Sequence, residues 1–260
     1  MTILNEIYAV LFGLTVGSFA NVCIYRLPRD RSIVSPRSMC PRCGTRVRFY
    51  DNIPVLSFLI LRGKCRQCGL AIPVRYLFIE LLLGITAYCF YRRLGLSLQG
   101  VYFFSLTSAL IIASAIDLEH RIIPNVISIS GIVSGLIAAA LATWLRIDWP
   151  VYLIQAFTGA VLGAGLLWLV GWLYETLTGR EGIGFGDVKL LALFGAHSGV
   201  SGVLTSLFYG SLFGSLVGIA LMIFQGKGSR YPIPFGPFLC LGLLVYFLDG
   251  NRWISFLLPF

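Results

Sequence analysis

The sequence predicts an all-α polytopic membrane protein of about eight transmembrane helices, with a small zinc-binding cytosolic loop domain built on four cysteines. Three observations predict it. The 260-residue chain is 57% hydrophobic and only 12% charged, with mean hydropathy +0.86. Its apolar residues gather in runs close to the roughly 20 residues a helix needs to cross a bilayer. Four cysteines stand as two Cys-x-x-Cys-Gly pairs inside the one long polar stretch. Soluble domains carry about 25% charged residues, so a chain this apolar needs lipid as its solvent.

The apolar runs cover 7–25, 76–91, 101–116, 126–145, 151–174, 188–224 and 234–248. The first lacks a preceding basic segment and a small-x-small cleavage site, so it reads as a membrane anchor and not as a removed signal peptide. The run 188–224 would extend about 55 Å as one helix at about 1.5 Å per residue, too long for one crossing. Ser198-Gly199-Val200-Ser201-Gly202 breaks it near Gly199 into a short span and a longer one. Three parts follow: a first span in 1–25, a metal-binding loop domain in 26–75, and a multi-span domain in 76–260.

Net charge is +9 and the isoelectric point is about 9.4. Such a balance often marks a nucleic-acid binder. Here the positive charges crowd into one loop of a membrane protein, and the positive-inside rule explains them without nucleic acid. With eight spans and the N-terminus outside, all of the 20 Lys and Arg face the cytosol except Arg92, Arg93, Arg146 and Arg252. A seven-span arrangement moves Lys227 and Arg230 outside and weakens that asymmetry.

A loop of this size has too small a core to hold itself together and needs a staple. Cys40-Pro-Arg-Cys43-Gly44 and Cys65-Arg-Gln-Cys68-Gly69 supply one. Each pair clamps a metal from a tight turn, and the glycine allows the positive φ that brings backbone N–H groups to the sulfurs. Four thiolates make the closed tetrahedral set of a structural zinc ion. The rival is a pair of disulfides, which a cytosolic loop disfavours. A rubredoxin-like iron site has the same spacing. The other three of the 7 cysteines, Cys23, Cys89 and Cys240, lie in apolar runs and read as small hydrophobes.

Carboxylates at membrane depth are costly and usually functional. Asp117 ends the third span and Asp187 starts the sixth, in Gly184-Phe185-Gly186-Asp187. Eight spans put both at the cytosolic face, where they can meet. Two carboxylates about 3 Å apart share a proton, which makes one a general base and the other a general acid. Gly184 and Gly186 let backbone approach a substrate closely. The plainer readings are a helix cap for Asp187 and a solvated span end for Asp117. Glu119 and Glu181 read as solvated, with Glu181 near enough to Asp187 to tune it. His120 and His197 stand at no ligand spacing and carry no assigned role.

Several segments together resemble the type IV prepilin peptidases, bifunctional leader peptidases and N-methyltransferases. They are Gly17–Pro28 at the end of the first span, Pro36–Gly44, Arg62–Gly69, Arg75–Leu82, the Asp117-x6-Pro124 stretch, Gly184-x-Gly186-Asp187, and Pro234–Phe238. The likeness runs in order along nearly the whole chain. It implies an intramembrane aspartyl protease of the bacterial inner membrane, with Asp117 and Asp187 as its catalytic pair. It implies cleavage of the basic leader from prepilins or pseudopilins, then methylation of the new N-terminal residue with S-adenosylmethionine. It links the cysteine cluster to methyl transfer. Phe185 stands where methionine is common, Asn125 where aspartate follows the proline, and His197 in place of an aromatic. These bear on substrate preference, not on the carboxylates.

No glycine-rich nucleotide motif marks an S-adenosylmethionine site, so methyl transfer rests on the resemblance. Glu80, an unusual buried acid in the second span, serves methyl transfer or pairs with an arginine. The rival functions are a proton-coupled transporter with a zinc-binding loop, a scaffold of a secretion assembly, and a leader peptidase without methylation. Transporter sites usually sit near the mid-plane, away from one face. The sequence assigns no oligomeric state.

Overall fold

The structure, a computed structural model, describes residues 3–180, 182–226 and 233–249. Lys227, Arg230 and Arg252, which enter the charge sidedness, lie outside the described residues. The described chain is helical, without a sheet, and has two isolated antiparallel bridges, Met39 with Arg46 and Lys64 with Ala71. It divides into two compact units, 1–112 and 113–260.

In the first unit, α1 (Ile3–Arg26) packs along α3 (Arg75–Leu94), with the short α2 (Leu56–Ile60) in the loop between them. Gly13 and Gly17 put bare backbone at the contact. A Cβ on Gly13 would lie 2.4 Å from the Leu83 carbonyl oxygen, and one on Gly17 2.6 Å from the Glu80 Cα. Helices in lipid gain no hydrophobic driving force from each other, so close backbone packing and hydrogen bonds between helices join them. Asn21 supplies such a bond: its Nδ2 donates to the Tyr76 carbonyl of α3 at 3.1 Å. Arg26 ends α1 and its guanidinium donates to the Ser32 and Pro36 carbonyls at 2.8 and 2.6 Å, which ties the loop back to the helix.

α4 (Leu98–His120) runs through the boundary, and its last turns belong to the second unit with α5 (Asn125–Leu145), α6 (Leu153–Thr178), α7 (Phe185–Gln225) and α8 (Gly236–Asp249). The first half of α7 is the centre of this unit. Leu190, Leu191, Leu193 and Phe194 are fully buried. α6 meets α7 through Gly159 and Gly195, where a Cβ on Gly195 would lie 2.0 Å from the Gly159 carbonyl oxygen. Helix α6 buries Ala156, Gly159, Ala160 and Gly163 while Ile154, Phe157, Val161 and Trp168 stand exposed. Small residues inside and large apolar ones outside are the pattern of a helix solvated by lipid.

α7 loses helical geometry at Gly199, with φ 64° and ψ −163°, where the sequence anticipates the break. A positive φ suits glycine alone without strain. Beyond it α7 packs on α8, where the Tyr246 hydroxyl lies 3.2 Å from Ser201 Oγ. By length and composition, five helical segments among the described residues can cross a membrane: α1 with the turn that follows it, α4, α5, α6 and α7. The chain is therefore a multi-pass membrane protein. The expected eight would count α3, α8 and the two halves of α7 separately, and length and composition alone carry five. Glu80, Arg92 and Arg93 make α3 less apolar, and α8 has 14 described residues.

Candidate functional site

Asp117 sits on the last turn of α4 and Asp187 on the first turn of α7, both in the second unit. The spacing between them in the chain is closed by the α5–α6 hairpin, which returns α7 to the end where α4 finishes. Asp117 is buried, with 6% of its surface exposed, and Asp187 is half-buried. The two carboxylates are near enough for the charge of Asp117 to act on Asp187.

The first turn of α8 completes this neighbourhood. The Gly236 N–H is directed at the Asp117 carboxylate. A Cβ on Gly236 would stand 2.7 Å from Asp117 Oδ2 and 3.2 Å from Ile123 Cδ1. Ile123 also meets Gly186, where a Cβ would lie 3.2 Å from the Ile123 Cβ. One isoleucine thus lies against the glycine beside Asp187 and the glycine that faces Asp117. Gly184 leads into α7, and a Cβ there would lie 3.6 Å from Asp187 Oδ2. Lys189 fixes the start of α7 to α5, its Nζ donating to Asn125 Oδ1 at 2.6 Å.

Asp117 Oδ2 is sealed from bulk solvent and has no hydrogen-bond partner among the described groups. Buried polar atoms are nearly always satisfied, and an orphan carboxylate oxygen marks a place where water or a substrate atom belongs. With Asp187 near enough to feel its charge, this pair of carboxylates has the chemistry that can activate a water. Glu181, anticipated as a tuning group, lies outside the described residues.

The four cysteines converge within the first unit. The Sγ atoms of Cys40, Cys43, Cys65 and Cys68 all lie within 4.8 Å of one another, and Cys40 and Cys68 are 3.7 Å apart at sulfur. Tetrahedral thiolates at about 2.3 Å from a zinc ion stand about 3.8 Å apart, so the set fits a metal. All four are free thiols rather than disulfides. The two turns are built alike: Gly44 N–H donates to the Cys40 carbonyl and Gly69 N–H to the Cys65 carbonyl, both at 3.0 Å, with φ of 67° and 68°. Cys43 Sγ and Thr45 Oγ1 are hydrogen-bonded at 3.4 Å, and Thr45 lowers the pKa of that thiol to about 6. Arg66, inside the second pair, forks onto Asp51 at 2.6 to 3.1 Å and holds that carboxyl below its usual range.

Glu80 has backbone for a partner. Its Oε2 accepts from the Val55 N–H at 2.7 Å, and the Ser18 side chain hydrogen-bonds to it as well. Val55 has a positive φ of 62° at the start of α2, an unusual state for a β-branched residue. Glu80 therefore anchors the metal-bearing loop to α3.

Reading single residues misses Gly236, Ile123 and Cys240. Cys240, one turn beyond Gly236, is buried near both carboxylates and hydrogen-bonds to Ser114. Each sits in an apolar run, where nothing local distinguishes a site residue from core. Only the Pro234–Phe238 motif points at this turn. His197 is a buried core residue whose Nδ1 lies 2.8 Å from the Leu193 carbonyl oxygen.

The chain matches two family models, the bacterial peptidase A24 N-terminal domain over residues 11–94 and the type IV leader peptidase family over residues 104–219. It is 36% identical over 266 residues to a prepilin leader peptidase/N-methyltransferase of Pseudomonas putida, covering 94% of this chain and 90% of that protein. A protein of the same description from Pseudomonas aeruginosa is 34% identical with the same coverage. One from Myxococcus xanthus is 40% identical over 233 residues, 87% of this chain and 66% of that protein. No solved structure matches the chain. On these matches, spanning nearly its full length, the chain belongs to the type IV leader peptidase family.

Proposed function

We propose that this multi-pass enzyme cleaves leader peptides from type IV prepilins or pseudopilins with Asp117 and Asp187, then methylates the new N-terminal residue. The single observation that carries the proteolytic part is the buried, unpartnered Asp117 Oδ2 within reach of the charge of Asp187. One carboxylate, ionised, takes a proton from water as the oxygen attacks the peptide carbonyl carbon. The other, protonated, gives its proton to the carbonyl oxygen. The tetrahedral adduct then collapses: the first carboxyl gives its proton to the amide nitrogen, the C–N bond breaks, and one adduct hydroxyl returns its proton to the second carboxylate as the new carboxyl forms. Gly184 and Gly186 leave room for a substrate backbone beside Asp187.

Cys40, Cys43, Cys65 and Cys68 hold a zinc ion with no position left for water, so the ion is structural. Residues 26–75 form a cytosolic metal-binding domain between a span in 1–25 and a protease domain in 76–260. In this reading the enzyme lies in the bacterial inner membrane with its N-terminus outside, its partners are the prepilin substrates and lipid, and nucleic acid has no part. Glu80 supports the metal-bearing loop through the Val55 N–H, and Glu181 is assigned to tuning Asp187. S-adenosylmethionine supplies an electrophilic methyl group for the new amine.

The test incubates purified protein with a prepilin-like peptide and methyl-labelled S-adenosylmethionine. A size shift with label in the shortened product is expected. A shift without label leaves a peptidase alone, and neither event rejects the assignment.

A further inference from the structure

α2 is only five residues long, yet its two faces differ. Ser57 turns inward: it is buried, and its Oγ donates to the Tyr50 carbonyl at 2.9 Å. Phe58 folds against the turn that follows, where a Cβ on Gly63 would lie 3.0 Å from Phe58 Cζ. Leu56, Leu59 and Ile60 stand at i, i+3 and i+4 and share one face. Each of the three is more than half exposed. Large aliphatic side chains gathered in this way are costly to leave in water.

Hydrogen bonds fix the height of α2. The Val55 N–H at its start donates to Glu80 Oε2, and the Ser18 side chain bonds the same acid. Glu80 lies five residues inside the start of α3, and Ser18 eight residues inside the end of α1. At about 1.5 Å per residue these positions are about 8 Å and about 12 Å from the helix ends. α1 is long and apolar enough to span a membrane. The start of α2 is therefore level with the body of a spanning helix, at the depth where the polar interface of a bilayer meets its hydrocarbon. Next to it, α3 exposes Phe78, Leu81 and Ile85 along one face, a surface suited to lipid.

The charges complement that setting. Arg62 and Lys64 follow α2 directly and are exposed. Residues 52–79 contain no acid. The nearest acids are already engaged, Asp51 by Arg66 and Glu80 by Val55 and Ser18. We infer that α2 is an interfacial helix that docks the metal-bearing loop onto the anionic lipid surface of the bilayer. Leu56, Leu59 and Ile60 enter the acyl-chain boundary, and Arg62 and Lys64 meet the lipid phosphates. Glu80 holds one end of the helix to α3, and lipid covers its outer face.

The test places an environment-sensitive fluorescent amino acid at Leu59, and separately at Ile60, in the full-length chain reconstituted in nanodiscs. Circular dichroism checks the helix content of each. The nanodiscs contain phosphatidylcholine alone or phosphatidylcholine with phosphatidylglycerol. One quencher is a lipid with a nitroxide on its acyl chain near the glycerol, and the other is acrylamide in the water. Both positions should be quenched by the nitroxide lipid and shielded from acrylamide, and phosphatidylglycerol should strengthen the nitroxide quenching. Arg62→Gln combined with Lys64→Gln should lose that gain. Quenching by acrylamide alone overturns the docking, because the face then lies in water. Shielding from both quenchers overturns it as well, because protein then covers the face. Equal nitroxide quenching in the two lipid mixtures overturns the anionic partner. An unlabelled wild-type chain gives an independent arm. A photoactivatable phosphatidylglycerol should crosslink within 53–64, and crosslinks that spare this segment overturn the inference.

Discussion

The backbone N–H of Gly236 faces the Asp117 carboxylate so closely that a Cβ on the glycine would stand 2.7 Å from Oδ2. Gly236→Ala must therefore displace the carboxyl or the start of α8. A misplacement of about 1 Å costs roughly 10²-fold in rate where geometry is demanding. Leader cleavage should fall by about that factor while circular dichroism reports unchanged helix content. Cleavage at the wild-type rate would show that Asp117 does not need its present position.

The cysteine set predicts a metal stoichiometry. Purified protein should contain about one zinc per chain, as four thiolate ligands imply. Cys40→Ser or Cys65→Ser should lower that content sharply, and methylation should suffer before cleavage. Metal content that survives the loss of these thiols would mean the ligands lie elsewhere.

Glu80 predicts a stability effect. Glu80→Ala strips the part-buried Val55 N–H of its acceptor at 2.7 Å, which costs about 1 kcal/mol, the low end for an unsatisfied donor. Glu80→Gln retains an acceptor oxygen and should restore most of it. Thermal unfolding of the two variants beside wild type measures the difference. Equal loss in both would mean the charge, rather than the acceptor, holds the loop.

The Asp51–Arg66 pair gives a pH dependence. Arg66 depresses the carboxyl of Asp51, so its folded pKa lies below the unfolded one. The pair's stabilisation is fully present above the ordinary carboxylate range and is lost as pH falls through the depressed value. Asp51→Asn should remove that acid-side dependence from loop proteolysis and leave neutral-pH behaviour little changed, because exposed pairs contribute little there. A profile identical to wild type would show the pair to be silent.

Much of this was legible in the residues themselves. The Cys-x-x-Cys-Gly turns were, because metal-ligand spacing is local and glycine alone suits φ near 67°. The Gly199 break was, because helix length limits a single crossing. The acids at Asp117 and Asp187 stood out because carboxylates are scarce in apolar helices. The contacts around them did not. Gly236, Ile123 and Cys240 look like any other membrane residues until the fold brings α8 to the end of α4. The partner of Glu80 was hidden for a related reason: a backbone N–H leaves no trace in side-chain patterning.

The proposed proteolytic mechanism requires Asp117 and Asp187 to act as one pair on one peptide bond. The most direct measurement is leader cleavage by Asp117→Asn and Asp187→Asn, each purified with its metal bound and its helix content intact. Both variants should leave a prepilin-like peptide uncut. Wild-type cleavage by either would remove that carboxylate from the chemistry and contradict the paired mechanism.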